Sequence, residues 1–83
     1  MVKVILLVSK DCPYCPLAED IWKELQKEYK FEFEEVDVNS EKGRELVKRY
    51  SIMAVPTTLV DDKIAFIGIP KKDKAMEIVK AKT

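Results

Sequence analysis

The 83-residue sequence has no histidine and few long apolar runs. Histidine is the commonest metal ligand and the commonest general base, so its absence removes the usual histidine-based metal sites and catalytic pairs. The longest apolar run, Val4–Val8, is shorter than the ~7 to 15 residues of a signal-peptide core and the ~20 needed to cross a bilayer. We therefore expect no membrane segment and a cytoplasmic location.

Neither sign of charge is in excess, because 15 acidic side chains balance 15 basic ones. A clustered basic face is the usual signature of nucleic-acid binding, and we expect no such partner. Charged residues are 36% of the chain, against a usual ~25%, which favours a thermophilic origin. The length predicts a single domain over residues 1–83, with a thin core and a shallow surface site.

The first half of the chain predicts strand, helix, strand and helix. Val2–Val8 is β-branched and apolar on both faces, which is typical of a central strand. An amphipathic helix follows, with apolar positions three and four apart from Ala18 to Tyr29. Phe31–Val38 alternates as a strand near an edge would. Asn39 or Ser40 then caps a short helix over Glu41–Tyr50, which Gly43 weakens.

The second half predicts a β-hairpin and a closing helix. Thr57–Val60 and Ile64–Ile67 are apolar runs joined by a short turn at Asp61 and Asp62, residues that favour turns. A last helix opened by Pro70 has apolar residues at helical spacing. The methionines Met53 and Met76 are expected in the core. The order βαβαββα predicts an α/β fold, with a four-stranded mixed sheet flanked by three helices.

Both cysteines fall in one segment, Cys12-Pro13-Tyr14-Cys15, where the first strand meets the first helix. The partial positive charge of a helix N-terminus favours a thiolate and lowers a cysteine pKa from ~8.5 to between ~3.5 and ~7.5. We expect an exposed Cys12 to be that thiolate and Cys15 to lie one helical turn further in. Cys12 can then attack a disulfide and Cys15 can resolve the mixed disulfide. Pro13 stiffens the loop, and an exposed Tyr14 could contact substrate.

Three other interpretations of the two cysteines are open. A structural zinc site needs four ligands, so this chain could hold zinc, or an iron–sulfur cluster, only by sharing it with a second chain. A purely structural disulfide across so short a loop would add roughly 2 kcal/mol, and such disulfides are rare in the cytosol. Two inert buried thiols fit poorly beside the polar Lys10 and Asp11. A redox role without a metal or other cofactor is therefore the favoured hypothesis.

Two segments of the sequence resemble motifs of the thioredoxin superfamily. Cys12-Pro13-Tyr14-Cys15 looks like the glutaredoxin active-site tetrapeptide, and Ala54-Val55-Pro56-Thr57 looks like the Val-Pro-Thr segment before the third strand of that superfamily. Within it, the sequence is most similar to the small archaeal glutaredoxin-like thioredoxins. The resemblance implies a cis Pro56 near the cysteines, and substrate binding at Val55 and Pro56. Glutaredoxins usually place a Gly-Gly pair after the fourth strand, whereas Gly68 is followed here by Ile69 and Pro70.

The resemblance therefore favours a monomeric thiol–disulfide oxidoreductase that reduces protein disulfides and takes its electrons from a thioredoxin-reductase-type donor. A glutathione-coupled glutaredoxin is the alternative, disfavoured by the missing Gly-Gly pair, and a dimeric metal or iron–sulfur module is the less favoured one. Larger thioredoxins also carry a buried aspartate in the strand before the cysteines, where it helps to move protons. Leu6 stands in that place here, so solvent or another group must serve.

Overall fold

The computed structural model describes residues 2–82, with side chains described up to residue 80. The chain forms seven elements in the order βαβαββα. They are β1 (Lys3–Val8), α1 (Cys15–Glu28), β2 (Glu32–Asp37), α2 (Glu41–Tyr50), β3 (Thr57–Val60), β4 (Lys63–Ile67) and α3 (Lys72–Lys82). The predicted element order and the mixed sheet with three helices are confirmed, with boundaries that differ by a residue or two at most elements.

The four strands form one sheet in the order β2-β1-β3-β4. β2 runs parallel to β1, with Leu6 opposite Glu35, whereas β3 runs antiparallel to β1, with Leu7 opposite Thr57. β4 completes the antiparallel hairpin. The all-apolar second half of β1 is thus explained, because β1 is an inner strand with a helix layer on each face.

The alternation of side chains along β1 divides the core into two layers. Val4 and Leu6 lie in the larger cluster under α1 and α3, together with Trp22, while Ile5 and Leu7 lie in the smaller cluster under α2. Trp22 is fully buried, and its indole N–H donates to the Thr58 hydroxyl at 3.2 Å. This side chain therefore packs in the core with its one polar atom satisfied.

Tight turns and caps follow the sequence signals closely. Asp61 and Asp62 both adopt positive φ, at 48° and 67°, which is the geometry of a two-residue hairpin turn with the strands' own twist. Ser40 rather than Asn39 caps α2, since its hydroxyl accepts the Gly43 N–H at 3.0 Å. The side-chain oxygen thereby satisfies one of the first-turn donors that a helix leaves unpaired.

Gly43 has a different role from that of a residue that merely weakens α2. It lies where the first turn of the helix meets the end of β2, and a Cβ at this position would overlap the Asp37 carbonyl oxygen. The glycine therefore permits close approach of the helix to the strand end, which its low helix propensity alone would not reveal.

The placement of Met53 in the core is wrong. Its side chain is 96% exposed and lies in the segment between α2 and β3. The apolar run Ile52-Met53-Ala54 is not part of a regular element, so neither strand nor helix periodicity fixes which of its side chains point inward. Ile52 packs against the smaller cluster instead. Met76, by contrast, packs against the larger cluster.

Candidate active site

The two cysteines lie at the C-terminal edge of β1, where the chain turns into α1. Cys12, Pro13 and Tyr14 form the turn, and Cys15 is the first residue of the helix, with Pro16 directly after it. This placement differs slightly from the expected one, in which Cys15 lies a full turn inside the helix. Pro16 suits the first turn because the N–H that it lacks would have no helical partner there.

Cys12 and Cys15 are joined by a disulfide, with their Cα atoms 5.4 Å apart. The environments of the two residues differ: Cys12 is half-buried, whereas Cys15 is 3% exposed. Pro13 and Tyr14 stand between them on the surface, and Tyr14 is 57% exposed. An incoming molecule therefore reaches the sulfur of Cys12 more easily than that of Cys15, which is covered by protein.

The segment before β3 lies at the same edge of the sheet. Because Leu7 pairs with Thr57, the residues just before Thr57 lie beside those just after Val8. The Val55–Pro56 peptide bond is cis, as the resemblance implied. The Thr57 hydroxyl donates to the Ala54 carbonyl at 2.7 Å, and the Gly68 N–H donates to the Pro56 carbonyl at 2.7 Å. These bonds fix the loop on the β3–β4 hairpin.

A small cavity of about 260 Å³ opens beside the disulfide. Both cysteines line it, and so do two carboxylates from different elements, Glu19 of α1 and Glu35 of β2. Lys10 and Asp37 complete its charged lining. The disulfide therefore faces a recess that carries charged side chains of both signs.

The carboxyl groups of Glu19 and Glu35 are neighbours in this cavity, and a proton on one of them can be shared with the other in a hydrogen bond. Desolvation, and then the bond to Glu19, raise the pKa of Glu35 from 4.5 to about 7. The same bond, aided by Lys23, lowers the pKa of Glu19. Glu19 also accepts from the Lys23 ammonium at 3.2 Å. A proton shared by the two carboxyl groups therefore resides mainly on Glu35.

A larger, shallow groove of about 580 Å³ lies on the other side of Val55. Its lining is mainly apolar, with Val47, Ile52 and Met53, and it also includes Arg44 and Lys48 of α2. The groove is thus continuous with the cis-proline loop and offers an apolar surface with positive charge at one side.

Within residues 2–82, no group of three or more cysteine, aspartate or glutamate side chains is arranged to hold a metal ion. In the same range, no helix has the length and apolar character needed to cross a membrane.

Comparison with known proteins identifies the family. A family model described as a thioredoxin domain matches residues 1–80. The chain is 34% identical over 79 residues to the thioredoxin of Methanocaldococcus jannaschii, covering 95% of this chain and 93% of that protein. It is 32% identical over 81 residues to a probable thioredoxin of Methanothermobacter marburgensis, again covering 95% and 93%.

The chain belongs to the thioredoxin family. Solved structures agree on the fold: a thioredoxin-like protein from Clostridium perfringens superposes with a TM-score of 0.80 at 25% identity, covering 98% of this chain and 70% of that one. A thioredoxin mutant from Halobacterium salinarum gives 0.78 at 18% identity, covering 96% and 73%. With its closely spaced Cys12–Cys15 disulfide, this thioredoxin-family chain is a thiol–disulfide oxidoreductase.

The structure of this thioredoxin-family protein brings the six residues that the sequence predicts for the site to one edge of the sheet, in two loops: Cys12, Pro13, Tyr14, Cys15, Val55 and Pro56. Sequence reasoning missed the carboxylates Glu19 and Glu35. One signal was present, because Phe31, Phe33 and Glu35 follow the same period of two and so lie on one face of β2. A carboxylate in a position that continues an apolar stripe is the kind of exception that marks a functional group.

Proposed function

We propose that this protein reduces disulfide bonds in other proteins through its Cys12-Pro13-Tyr14-Cys15 segment, with electrons from a thioredoxin-reductase-type donor. The observation that carries the proposal is the unequal exposure of the two sulfur-bearing residues. An accessible first cysteine and a covered second one are what a two-step exchange requires, since only the first must meet the substrate.

In the first step, the Cys12 thiolate attacks one sulfur of the substrate disulfide and expels the other as a thiolate. In the second, Cys15 attacks the Cys12 sulfur, breaks the mixed disulfide and releases the second substrate thiolate. Two electrons pass from the cysteine pair to the substrate. The positive end of α1 supports the Cys12 thiolate, and Asp11 beside it acts in the opposite direction.

We assign substrate binding to Val55 and Pro56. The support is their position, because the cis-proline loop lies beside the cysteine turn and is tied to the hairpin through the Pro56 carbonyl. Next to it, the apolar groove at Val47, Ile52 and Met53 gives a flanking polypeptide segment a surface on which to lie. Tyr14, exposed between the two cysteines, would complete the contact.

The disulfide is itself the redox group, so the proposal needs no bound cofactor or metal. A protein that keeps its substrates reduced suits a reducing compartment, and we propose the cytoplasm as its location. Coupling to glutathione is a less favoured source of electrons, because Ile69 and Pro70 follow Gly68 where a glutathione site would need further backbone donors.

Trapping the intermediate tests the two cysteine roles. The chain has only two cysteines, so in Cys15→Ser the remaining thiol is Cys12. Mixed with a disulfide-bonded protein such as insulin, Cys15→Ser should accumulate a covalent adduct that dithiothreitol removes. Cys12→Ser is the matched control and should form no adduct and show no turnover. Absence of the Cys15→Ser adduct, or an adduct on Cys12→Ser of equal yield, contradicts the assignment.

The reduction potential of the cysteine pair tests the electron donor. It can be measured by equilibration in defined dithiol buffers, followed by trapping and counting of the thiols. Thioredoxins lie near ~−270 mV and glutaredoxins at ~−200 to −230 mV. A value at the thioredoxin end supports a dedicated reductase, whereas a value at the glutaredoxin end, together with reduction by glutathione alone, supports the alternative.

A further inference from the structure

The second step of disulfide exchange needs an acceptor for the Cys15 proton. Only a thiolate attacks a disulfide, and Cys15 is 3% exposed, so water has little direct access to its thiol. The strand in front of it supplies no carboxylate, since β1 is apolar from Val4 to Leu7. The acceptor must come from another element that reaches the same cavity.

Two carboxylates meet this requirement by their positions in the fold. Glu19 lies four residues after Cys15 on α1, and side chains four apart share one face of a helix. Glu35 lies opposite Leu6 in the parallel β1–β2 pair, so its side chain is on the face of the sheet that α1 covers. The helix and the strand thus bring both carboxylates to the cavity that Cys12 and Cys15 line.

We propose that Glu19 and Glu35 act as one proton-sharing pair that accepts the Cys15 proton when Cys15 attacks the mixed disulfide, and returns it when the protein is reduced again. The inference rests on the proposed two-step exchange and adds the group that makes its second step possible. The pair joins a covered thiol to solvent, because Glu19 is half-buried and Glu35 is exposed.

The step balances without any further reactant. The unprotonated pair takes the proton of the Cys15 thiol and holds it between its two carboxyl groups. The Cys15 thiolate then forms a bond to the Cys12 sulfur, and the bond from Cys12 to the substrate breaks, so the substrate sulfur leaves as a thiolate. When a donor later cleaves the Cys12–Cys15 disulfide, the pair gives the proton back to the Cys15 sulfur.

The electrostatics of the cavity suit this role. A base works best when its pKa lies near the working pH, and the pKa of Glu35 is raised to about 7. From α1, Glu19 raises that pKa and Lys23 lowers it. Asp37, further along β2, and Lys10, after β1, also line the cavity with opposite charges. Above about pH 7 the pair is unprotonated and can accept a proton. Below about pH 7 the pair already carries that proton and cannot accept another from Cys15.

Ellman's reagent separates the two steps in one experiment. Reduced protein releases a first thionitrobenzoate when Cys12 attacks the reagent and a second when Cys15 resolves the adduct. In Glu35→Gln and in Glu19→Gln, we expect the second release to slow by on the order of tenfold to a hundredfold at neutral pH, as for loss of a general base. The pH profile of that step should also lose its inflection near 7.

The matched control is Glu32→Gln, which removes an exposed carboxylate from the same strand but outside this cavity. It should leave both releases unchanged. Thermal melting of all three variants should show that they are folded, and Glu19→Gln serves as the second variant should Glu35→Gln prove unstable.

A purely electrostatic effect of the carboxylates predicts the opposite result. Removing negative charge beside Cys15 lowers its thiol pKa, which ultraviolet absorbance of the thiolate in a Cys12→Ser background can measure. With more thiolate present, the second release would then become faster. A faster or unchanged second release in both glutamine variants overturns the proton-sharing pair. Loss of the first release in the unaltered protein would instead overturn the two-step function on which it rests.

Discussion

The two faces of the sheet differ in the size of the hydrophobic core that they bury and in the part of the candidate site that they carry. Among residues 2–80, the face under α1 and α3 buries ten residues in one cluster, including Trp22 and Leu25, whereas the face under α2 buries five, including Leu46. The first face carries the cysteines and the paired carboxylates, because α1 begins at Cys15. The second face carries the apolar groove beside Val55.

This difference shows which face of the sheet holds the redox helix in place and which face leaves an open surface groove. The redox helix is held by the deep core, so its first turn, and with it the disulfide, is fixed against β1. The α2 face has a thinner core with a wide groove at its end, and exposed apolar side chains such as Met53 remain there. The larger core therefore stabilises the reacting atoms, and the smaller one leaves surface for a partner.

The largest expected effect is that of Trp22→Ala on the larger core. Trp22 is fully buried, donates to Thr58 and lies 6.0 Å, centroid to centroid, from the rings of both Phe31 and Phe66. Removing a buried ring costs about 3–5 kcal/mol of unfolding free energy. Urea denaturation measures the loss, with Lys27→Ala, an exposed site on the same helix, as the control. A loss below ~1 kcal/mol would remove the contrast between the two faces.

A smaller effect is expected for Leu46→Ala on the other face. Leu46 is 8% exposed and belongs to the five-residue cluster under α2, where the surroundings can relax toward solvent. The loss should lie near the lower end of the range for leucine truncation, about 2 kcal/mol. The same urea experiment measures it. If Leu46→Ala costs as much as Trp22→Ala, the two faces contribute equally and the comparison fails.

Gly43→Ala tests the close approach of α2 to the end of β2. A methyl group there overlaps the Asp37 carbonyl, and overpacking costs ~1–3 kcal/mol. Better helix propensity returns roughly 0.5–1 kcal/mol, so we expect a net loss of about 1 kcal/mol. Circular dichroism melting can measure the shift, with Lys48→Ala, an exposed site on α2, as the control. A more stable Gly43→Ala would show that the helix can move away from the strand.

The smallest effect is the pH dependence of stability that arises from the carboxylates on the redox face. The folded state raises the pKa of Glu35 from 4.5 to about 7 and so binds more protons than the unfolded chain between these values. Unfolding free energy should therefore decline as pH rises from about 5 to above 7. The lowered pKa of Glu19 acts below about 4.5 and does not enter this window.

Denaturation at several pH values, with and without Glu35→Gln, measures this slope. The exposure of Glu35 to solvent keeps the effect small. A slope of equal size in Glu35→Gln would place its origin elsewhere in the molecule.

Local patterns in the sequence determined much of this protein. Period-two and period-3.6 apolar spacing gave the seven elements in order, because each element must bury one side. The turn at Asp61 and Asp62, the caps and the cysteine turn follow from short-range backbone chemistry that neighbouring residues already define. The resemblance of two short segments then indicated the family and the six candidate site residues.

Tertiary structure alone decided the features that join distant segments. The pairing of β1 with β2 brings Glu35 beside Leu6, and the packing of α1 brings Glu19 to meet it, so that two ordinary glutamates become a pair. The exposure of Met53 and the need for glycine at Gly43 likewise depend on what lies across the contact. The physical reason is that a side chain's pKa and burial are set by its neighbours in space, which no spacing along one strand or helix specifies.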